Sequence, residues 1–276
     1  TSFIYIKHRN KNMTKKTIQT IQNQKNQKKI TCLTAYTSSI ARIVDNYVDI
    51  TLIGDSLGST IYGMKNTQHV TLEMMKEHGR AVAKNCKKSF TIVDMPYNTY
   101  NSNKKALLNI RNLLNYTKCQ AIKIETDESK INLIKYLTKK KIKVVSHIGV
   151  TPQKYKSFDK IRSVGNSNEE KEKILNLALN IEKAGSCLIV LECIKEDLAK
   201  EISKKLKIPT IGIGASKYCD GQVLVIDDII GISNSTKKPK FVKSYANIEA
   251  LIHKAVEKFC SEVIKKKFPK NKNTYK

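Results

Sequence analysis

The unit that decides the fold lies in residues 121–149, which read AIKIETDESKINLIKYLTKKKIKVVSHIG. Its two apolar runs, 121–125 and 144–147, are short and rich in β-branched residues, as buried strands are. Between them, residues 131–139 carry apolar residues at three- and four-residue spacing, which predicts an amphipathic helix, and Asp127 precedes this helix as a capping residue. A strand, a helix and a second strand in this order predict two parallel strands of one sheet.

The same alternation of short apolar runs and amphipathic segments continues along the chain. Helical patterns lie at residues 38–46, 72–86, 104–116, 131–139, 169–184 and 197–206. Strand candidates lie at residues 30–35, 50–53, 90–94, 121–125, 144–147, 187–192, 209–214 and 223–226. An open doubly wound sheet is the alternative, but the glycine fingerprint GxGxxG does not follow the first strand. We therefore predict an α/β fold, a (β/α)8 TIM barrel with eight parallel strands in a single domain.

The segments outside the barrel pattern are polar and basic. Residues 1–29 are expected to form an N-terminal arm, and residues 1–12, which precede Met13, to lie outside the natural start or to be disordered. Residues 30–268 are expected to form the TIM-barrel catalytic domain, and residues 269–276 a basic tail. The cysteines form no CxxC pair, and the amino end has no apolar core with a cleavage site, so we expect a cytoplasmic location.

A net charge of +27, from 51 Lys and Arg against 24 Asp and Glu, raises the question of a polyanionic partner. The lysines are spread over nearly every predicted helix, alongside abundant Asn and Ile, and no stacking aromatics or reading module accompany them. We interpret the charge as a compositional bias and expect no nucleic-acid partner. No apolar run reaches the roughly 18 residues that a membrane span needs, so no membrane association is expected either.

Ionisable side chains stand at or just after the ends of five successive predicted strands. They are Asp55, Asp94, Glu125, His147 and Glu192. In an α/β barrel the carboxyl ends of all strands converge on one mouth, so these side chains are expected to meet. Acids after strands often cap the following helix instead, but each of these acids lies within or just after an apolar strand and not at a helix start.

Carboxylates that converge on one point repel each other unless a positive charge lies between them. A hard cation with oxygen ligands, such as Mg²⁺, is the simplest solution. No His and Cys cluster with the spacing of a zinc site competes with it. The sequence therefore predicts a Mg²⁺ site at the mouth of the barrel.

Ordered motifs between residues 31 and 243 resemble those of the ketopantoate hydroxymethyltransferase family. The matching stretches are LIGDSLG at 52–58, DMPY at 94–97, IKIE at 122–125, HIGVTPQ at 147–153, LEC at 191–193, IGIGA at 211–215, DGQVLV at 220–225 and PKF at 239–241. A single triplet among them would be weak, but such an ordered set is highly specific.

The resemblance implies a metal-dependent transferase of the pantothenate and coenzyme A route that assembles as a homo-oligomer, typically a decamer. The implied reaction moves a one-carbon unit from 5,10-methylenetetrahydrofolate onto 3-methyl-2-oxobutanoate. The implied metal ligands are Asp55, Asp94 and Glu125, of which Asp55 and Asp94 also contact the substrate. The implied roles of the remaining residues are substrate binding for Ser56, Lys123 and His147, and proton acceptance for Glu192.

Elementary chemistry agrees with these roles. A 2-oxo acid chelates Mg²⁺ through its carboxylate and keto oxygens, which acidifies C3, and a carboxylate near that carbon serves as the base. Whether Glu192 or His147 takes the proton stays open, because His147 fits a supporting imidazole equally well. Asp227 and residues 157–168 depart from the family pattern, which puts the folate side in question.

Two other functions compete with this one. A metal-dependent barrel of the phosphoenolpyruvate mutase and isocitrate lyase type also binds 2-oxo acids, but its Lys-Lys-Cys-Gly-His type of loop has no match in the sequence. A basic scaffold without catalysis is suggested only by the charge, and the acids at the strand ends argue against it.

Overall fold

The computed structural model describes residues 14–156, 162–232 and 239–275. Eight parallel strands pair in chain order and close into a barrel, because β8 returns to pair with β1. The predicted (β/α)8 barrel is therefore confirmed. The strands are β1 Ile30–Thr34, β2 Ile50–Ile53, β3 Phe90–Asp94, β4 Ala121–Glu125, β5 Val144–Gly149, β6 Leu188–Glu192, β7 Thr210–Ile213 and β8 Gly221–Leu224.

Helices follow most of the strands, and six of them lie within one or two residues of their predicted bounds. These six are α2 Ser38–Val44, α4 Leu72–Asn85, α5 Asn103–Thr117, α6 Ile131–Lys139, α7 Asn168–Lys183 and α8 Glu196–Lys205. Caps fix several starts: Thr71 accepts the backbone N–H of Met74 at the start of α4. The pattern did not predict the short helix α3 Leu57–Thr60, and the short helix α1 Ile18–Gln22 lies within the predicted N-terminal arm.

The inward-facing positions of the strands change in character along the barrel axis. Phe90 and Ile92 in β3, and Leu188 and Val190 in β6, belong to one apolar cluster inside the barrel. The next inward position on each strand is Asp94 in β3 and Glu192 in β6, because side chains two residues apart share a face. The barrel interior is thus packed with apolar side chains at the amino ends of the strands and lined by charged side chains at their carboxyl ends.

The short helix α1 belongs to the barrel core. Its Ile21 is fully buried in the apolar cluster with Ile30, Ile50 and Phe90, which are the first residues of their strands. Residues 1–29 are predicted to form an N-terminal arm. Within this range, α1 packs against the amino end of the barrel. Lys25 ties the following turn down through a buried ion pair with Asp220, with 2.6 Å between Nζ and Oδ2.

The chain divides into two compact units, with the boundary between Val225 and Ile226. The second unit contains α9 Ile226–Ile230 and α10 Ile248–Ile264, and Asn247 caps α10 by accepting the N–H of Ala250. Within the described ranges, none of the helices is long and apolar enough to cross a membrane. The domain bounds predicted from the sequence remain a prediction.

Candidate active site

A buried ion pair joins two strand ends at the mouth of the barrel. Asp94 ends β3 and lies in register with Lys123 of β4, and Nζ of Lys123 is 3.0 Å from Oδ2 of Asp94. Burial alone would lower the pKa of Lys123, but the negative charges of Asp94, Asp55 and Glu125 outweigh it and raise this pKa. Lys123 is therefore a charged ammonium in a buried position.

Asp94 has one satisfied and one unsatisfied carboxylate oxygen. Its Oδ2 accepts from Lys123 and from the backbone N–H of Asp55, at 3.0 Å each. Its Oδ1 is buried and has no hydrogen-bond partner among the described residues. Burial and then the repulsion from Asp55, against the attraction of Lys123, raise the pKa of Asp94 to about 7. A buried carboxylate oxygen without a donor beside it can serve as a ligand for a cation.

Glu125 is the third acid of the mouth. Both of its carboxylate oxygens accept from the backbone N–H of Gln153, at 3.0 and 3.2 Å. Burial and then the negative charge of Asp55 raise the pKa of Glu125 well above its ordinary value, although Lys123 opposes this. Glu125 and Lys123 point into the barrel together because they are two residues apart in β4.

His147 in β5 lies between Lys123 and Glu192. Its Nδ1 is 3.4 Å from Nζ of Lys123, and an ammonium only donates, so Nδ1 is the acceptor and the ring proton is on Nε2. Nε2 is 3.1 Å from Oε2 of Glu192, but Nε2 has no partner in hydrogen-bond geometry within the described residues. The two groups thus approach closely without a well-aligned hydrogen bond. Burial and Lys123, opposed by Glu192, lower the pKa of His147, so the imidazole is neutral.

Ser56 and Glu192 complete the set of predicted site residues. Ser56 follows Asp55 directly, and its Oγ is 2.8 Å from the hydroxyl of Tyr36, which follows β1. Glu192 ends β6, and its side chain is 15% exposed, more than those of Asp94 and His147. Glu192 is therefore the acid of the group that solvent and ligands reach most easily.

The sequence interpretation assigned no role to Gln153, which lies at the centre of the acid cluster. Its Nε2 donates to Oδ2 of Asp55 at 2.7 Å and to the backbone oxygen of Met95 at 2.9 Å. Its Oε1 accepts from the hydroxyl of Tyr100 at 2.6 Å. The one available signal was its place in the motif at 147–153. Nothing in the sequence pattern indicates that Tyr36 and Tyr100 reach the same region.

The structure brings all seven predicted site residues to the carboxyl ends of β2 to β6. Over residues 14–156, 162–232 and 239–275, no three His, Cys, Asp or Glu side chains already stand in the geometry of a metal site. The carboxylates nevertheless suit a hard cation. Such a cation would pair with the free oxygen of Asp94 and would offset the repulsion between the carboxylates. Of the histidines outside the motifs, His78 contacts the backbone oxygen of Tyr36.

Comparisons with known proteins agree on one family. The sequence profile of the family described as ketopantoate hydroxymethyltransferase matches residues 15–271. A 3-methyl-2-oxobutanoate hydroxymethyltransferase of Pelagibacter ubique is 48% identical over 246 residues, which cover 89% of this chain and 94% of the relative.

Two solved structures have the same fold. Phosphonopyruvate hydrolase in complex with oxalate and Mg²⁺ is 12% identical, with a TM-score of 0.59, over 95% of this chain and 93% of the other. The other is 2,3-dimethylmalate lyase, a member of the phosphoenolpyruvate mutase and isocitrate lyase superfamily. It is 13% identical, with a TM-score of 0.56, over 75% of this chain and 78% of the other. At these identities the likeness is one of fold.

Proposed function

The chain belongs to the ketopantoate hydroxymethyltransferase family, and on that premise we propose that it transfers a one-carbon unit from 5,10-methylenetetrahydrofolate to 3-methyl-2-oxobutanoate. Membership makes the chain a transferase enzyme. The observation that carries the finer proposal is the buried mouth in which Asp55, Asp94 and Glu125 surround the ammonium of Lys123. A small anionic 2-oxo acid is the class of substrate that fits such a mixture of positive charge and cation-binding oxygens.

Asp55, Asp94 and Glu125 would hold Mg²⁺ in this enzyme. When all three carboxylates are ionised, the single ammonium leaves the cluster with an excess of negative charge, which one divalent cation would offset. The unpaired Oδ1 of Asp94 supports this assignment, and the same fold accommodates Mg²⁺ and oxalate in phosphonopyruvate hydrolase. When bound, Mg²⁺ supplies positive charge that stabilises the enolate form of the oxo acid.

Lys123 and Ser56 would bind the substrate carboxylate. Lys123 carries a permanent charge and has a fixed position because Asp94 holds its Nζ. The Ser56 hydroxyl is paired with a tyrosine hydroxyl, and both groups can rotate to donate to an anion. Together they would orient the oxo acid with its C3 toward the opposite side of the mouth.

Glu192 would accept the proton from C3. It comes from β6, two strands beyond Glu125, and it is the most accessible of the acids at the mouth. His147 is neutral and lies between Glu192 and Lys123, so it suits the orientation of the Glu192 carboxylate better than proton abstraction. The enolate would then attack the methylene carbon delivered by the folate.

We expect a homo-oligomer, which the exposed apolar residues of α10 support; these include Leu251, Val256 and Phe259. Seven free cysteines support a reducing, cytoplasmic location. We propose no nucleic-acid partner.

A product assay tests the proposed reaction. The purified protein is incubated with 3-methyl-2-oxobutanoate, 5,10-methylenetetrahydrofolate and Mg²⁺, and ketopantoate is detected by mass spectrometry. Product should require the folate and should disappear when EDTA removes divalent cations. Absence of product from folded protein would refute the proposal. Cleavage of 2,3-dimethylmalate or phosphonopyruvate in its place would favour the alternative activity.

A further inference from the structure

We propose that Gln153 is a positioning residue that holds the carboxylates of Asp55 and Glu125 in the arrangement that a divalent cation requires. The inference rests on the proposed metal-dependent function and names a residue that sets the metal site without binding the metal. Gln153 is buried, with 3% of its surface exposed. It lies in the short 3-10 helix Pro152–Lys154 that follows β5.

The side-chain amide of Gln153 has its orientation fixed by three partners. The hydroxyl of Tyr100 donates to Oε1, and burial raises the pKa of Tyr100, so this hydroxyl is protonated. Both hydrogens of Nε2 are used, one toward Oδ2 of Asp55 and one toward the backbone oxygen of Met95. Rotating the amide by half a turn would break all three contacts.

The backbone of Gln153 holds the second acid. Its N–H donates to both oxygens of Glu125, at 3.0 and 3.2 Å. Its carbonyl oxygen accepts from Nε2 of Gln68 at 2.8 Å, which fixes the peptide from the other side. One residue therefore connects Asp55 after β2, Met95 after β3 and Glu125 at the end of β4.

The chemistry of an amide explains why this position suits glutamine. The donated hydrogen occupies one oxygen of Asp55 and leaves Oδ1 available for a cation, without adding a positive charge that would repel the cation. A lysine at this position would compete with the metal. A glutamate would add a further negative charge and could not donate to Asp55 when ionised.

The test measures Mn²⁺ binding by electron paramagnetic resonance on the full-length chain, together with KM and kcat. Gln153→Met keeps the size of the side chain but removes its three side-chain hydrogen bonds, and Gln153→Glu removes the two that Nε2 donates, to Asp55 and to the backbone oxygen of Met95. Both variants should bind Mn²⁺ about 10–100-fold more weakly. With Mn²⁺ added to saturation, Gln153→Met should recover most of its kcat, a recovery that a general loss of folding would not allow.

Two further variants separate positioning from structural support. Gln120→Met removes a partly buried amide at the opposite end of the barrel, where Gln120 accepts from Thr91 and donates to the oxygen of Lys16. It should lower the melting temperature but leave Mn²⁺ affinity unchanged. Tyr100→Phe removes only the donor to Oε1, so it should weaken Mn²⁺ binding by less than Gln153→Met does, and it carries the test if Gln153→Met does not fold.

The outcomes are distinguishable. Wild-type Mn²⁺ affinity in folded Gln153→Met and Tyr100→Phe would overturn the role of Gln153 and leave the proposed function standing. Failure of the wild-type protein to bind Mn²⁺ or Mg²⁺ would overturn the metal-dependent function, and the role of Gln153 would fall with it. Weaker binding in Gln120→Met as well would also contradict the inference, since it would show a general effect of stability.

Discussion

At the scale of single residues, the carboxylates at the mouth of the barrel differ in whether their oxygens have hydrogen-bond donors. Asp55 and Glu125 each accept from Gln153, whereas one oxygen of Asp94 has no partner within the described part of the chain. A buried acceptor without a donor costs roughly 1–3 kcal/mol, which a bound cation would recover. Asp94 is therefore the acid whose change should affect metal binding most directly.

Asp94→Asn should weaken Mg²⁺ binding by at least about tenfold, because a neutral amide is a poorer ligand than a carboxylate. Isothermal titration calorimetry with Mg²⁺ measures the dissociation constant of each variant. The control is Asp197→Asn, which removes an exposed carboxylate paired with Lys171 on the helical side of the barrel. An unchanged titration in Asp94→Asn would exclude Asp94 as a ligand.

The raised pKa of Asp94 also predicts how stability depends on pH. A carboxyl group with a higher pKa in the folded chain than in the unfolded chain stabilises the fold while it is protonated, and this contribution is lost as pH rises from about 3.8 through about 7. In EDTA, the free energy of unfolding of the wild type relative to Asp94→Asn should therefore fall as the pH rises from about 4 to about 7, and level off above that. Urea denaturation at several pH values measures it, and a difference that grows with pH would contradict the assignment.

Sequence alone predicted the acids of the site but not their partners. Asp94, Glu125 and Glu192 could be predicted because each ends a strand, and strand ends of a barrel meet. Gln153 and Tyr100 contact each other across loops after β5 and β3, and the path of a loop is set by tertiary contacts that leave no periodic signal.

At the scale of elements, the close approach of β5 and β6 positions Glu192, the proposed base. Gly149 ends β5 with a φ of +96°, and a Cβ at this position would lie 2.2 Å from the backbone oxygen of Glu192. Only glycine allows the two strands to approach this closely. The neighbouring N–H of Val150 donates to the same oxygen at 2.9 Å, so the backbone of Glu192 is held from β5.

Gly149→Ala should destabilise the protein by more than about 2 kcal/mol, because it adds a collision with the backbone to the cost of a left-handed conformation. Activity should fall further than stability explains, since Glu192 must move. The matched control is Gly63→Ala: Gly63 has a φ of +64° but nothing within 4 Å of its Cβ position. Thermal unfolding of both variants measures the difference, and equal losses would contradict the role of the close approach.

The elements found from sequence are those with a long repeating pattern. The helix α6 was predicted to the residue because nine residues provide more than two turns of apolar spacing. The helix α1 has five residues within a polar stretch, and only the closed barrel explains why Ile21 is buried. The helix α3 is four residues long, too short to repeat a period.

At the scale of the whole molecule, the net charge of +27 attracts anions over a long range. Such a field would raise the rate at which the proposed anionic oxo acid reaches the protein, but it does not select a base sequence. The acids that carry the proposed chemistry are gathered at the carboxyl end of the barrel.

Duplex DNA should bind only weakly and without sequence preference. Fluorescence anisotropy with two unrelated duplexes of equal length measures this, in a salt titration. Any affinity should fall steeply as salt rises, since it comes from released counterions alone. Tight binding to one duplex at physiological salt would contradict the compositional interpretation of the charge.

The proposed reaction depends on removal of the C3 proton of 3-methyl-2-oxobutanoate by Glu192. The most direct measurement is exchange of that hydrogen with D₂O, followed by NMR with Mg²⁺ and without folate. Wild-type protein should exchange it, and Glu192→Gln should slow exchange and turnover by about two to four powers of ten while Mg²⁺ binding persists. Exchange at the wild-type rate in Glu192→Gln would contradict the account, because another group would then be the base.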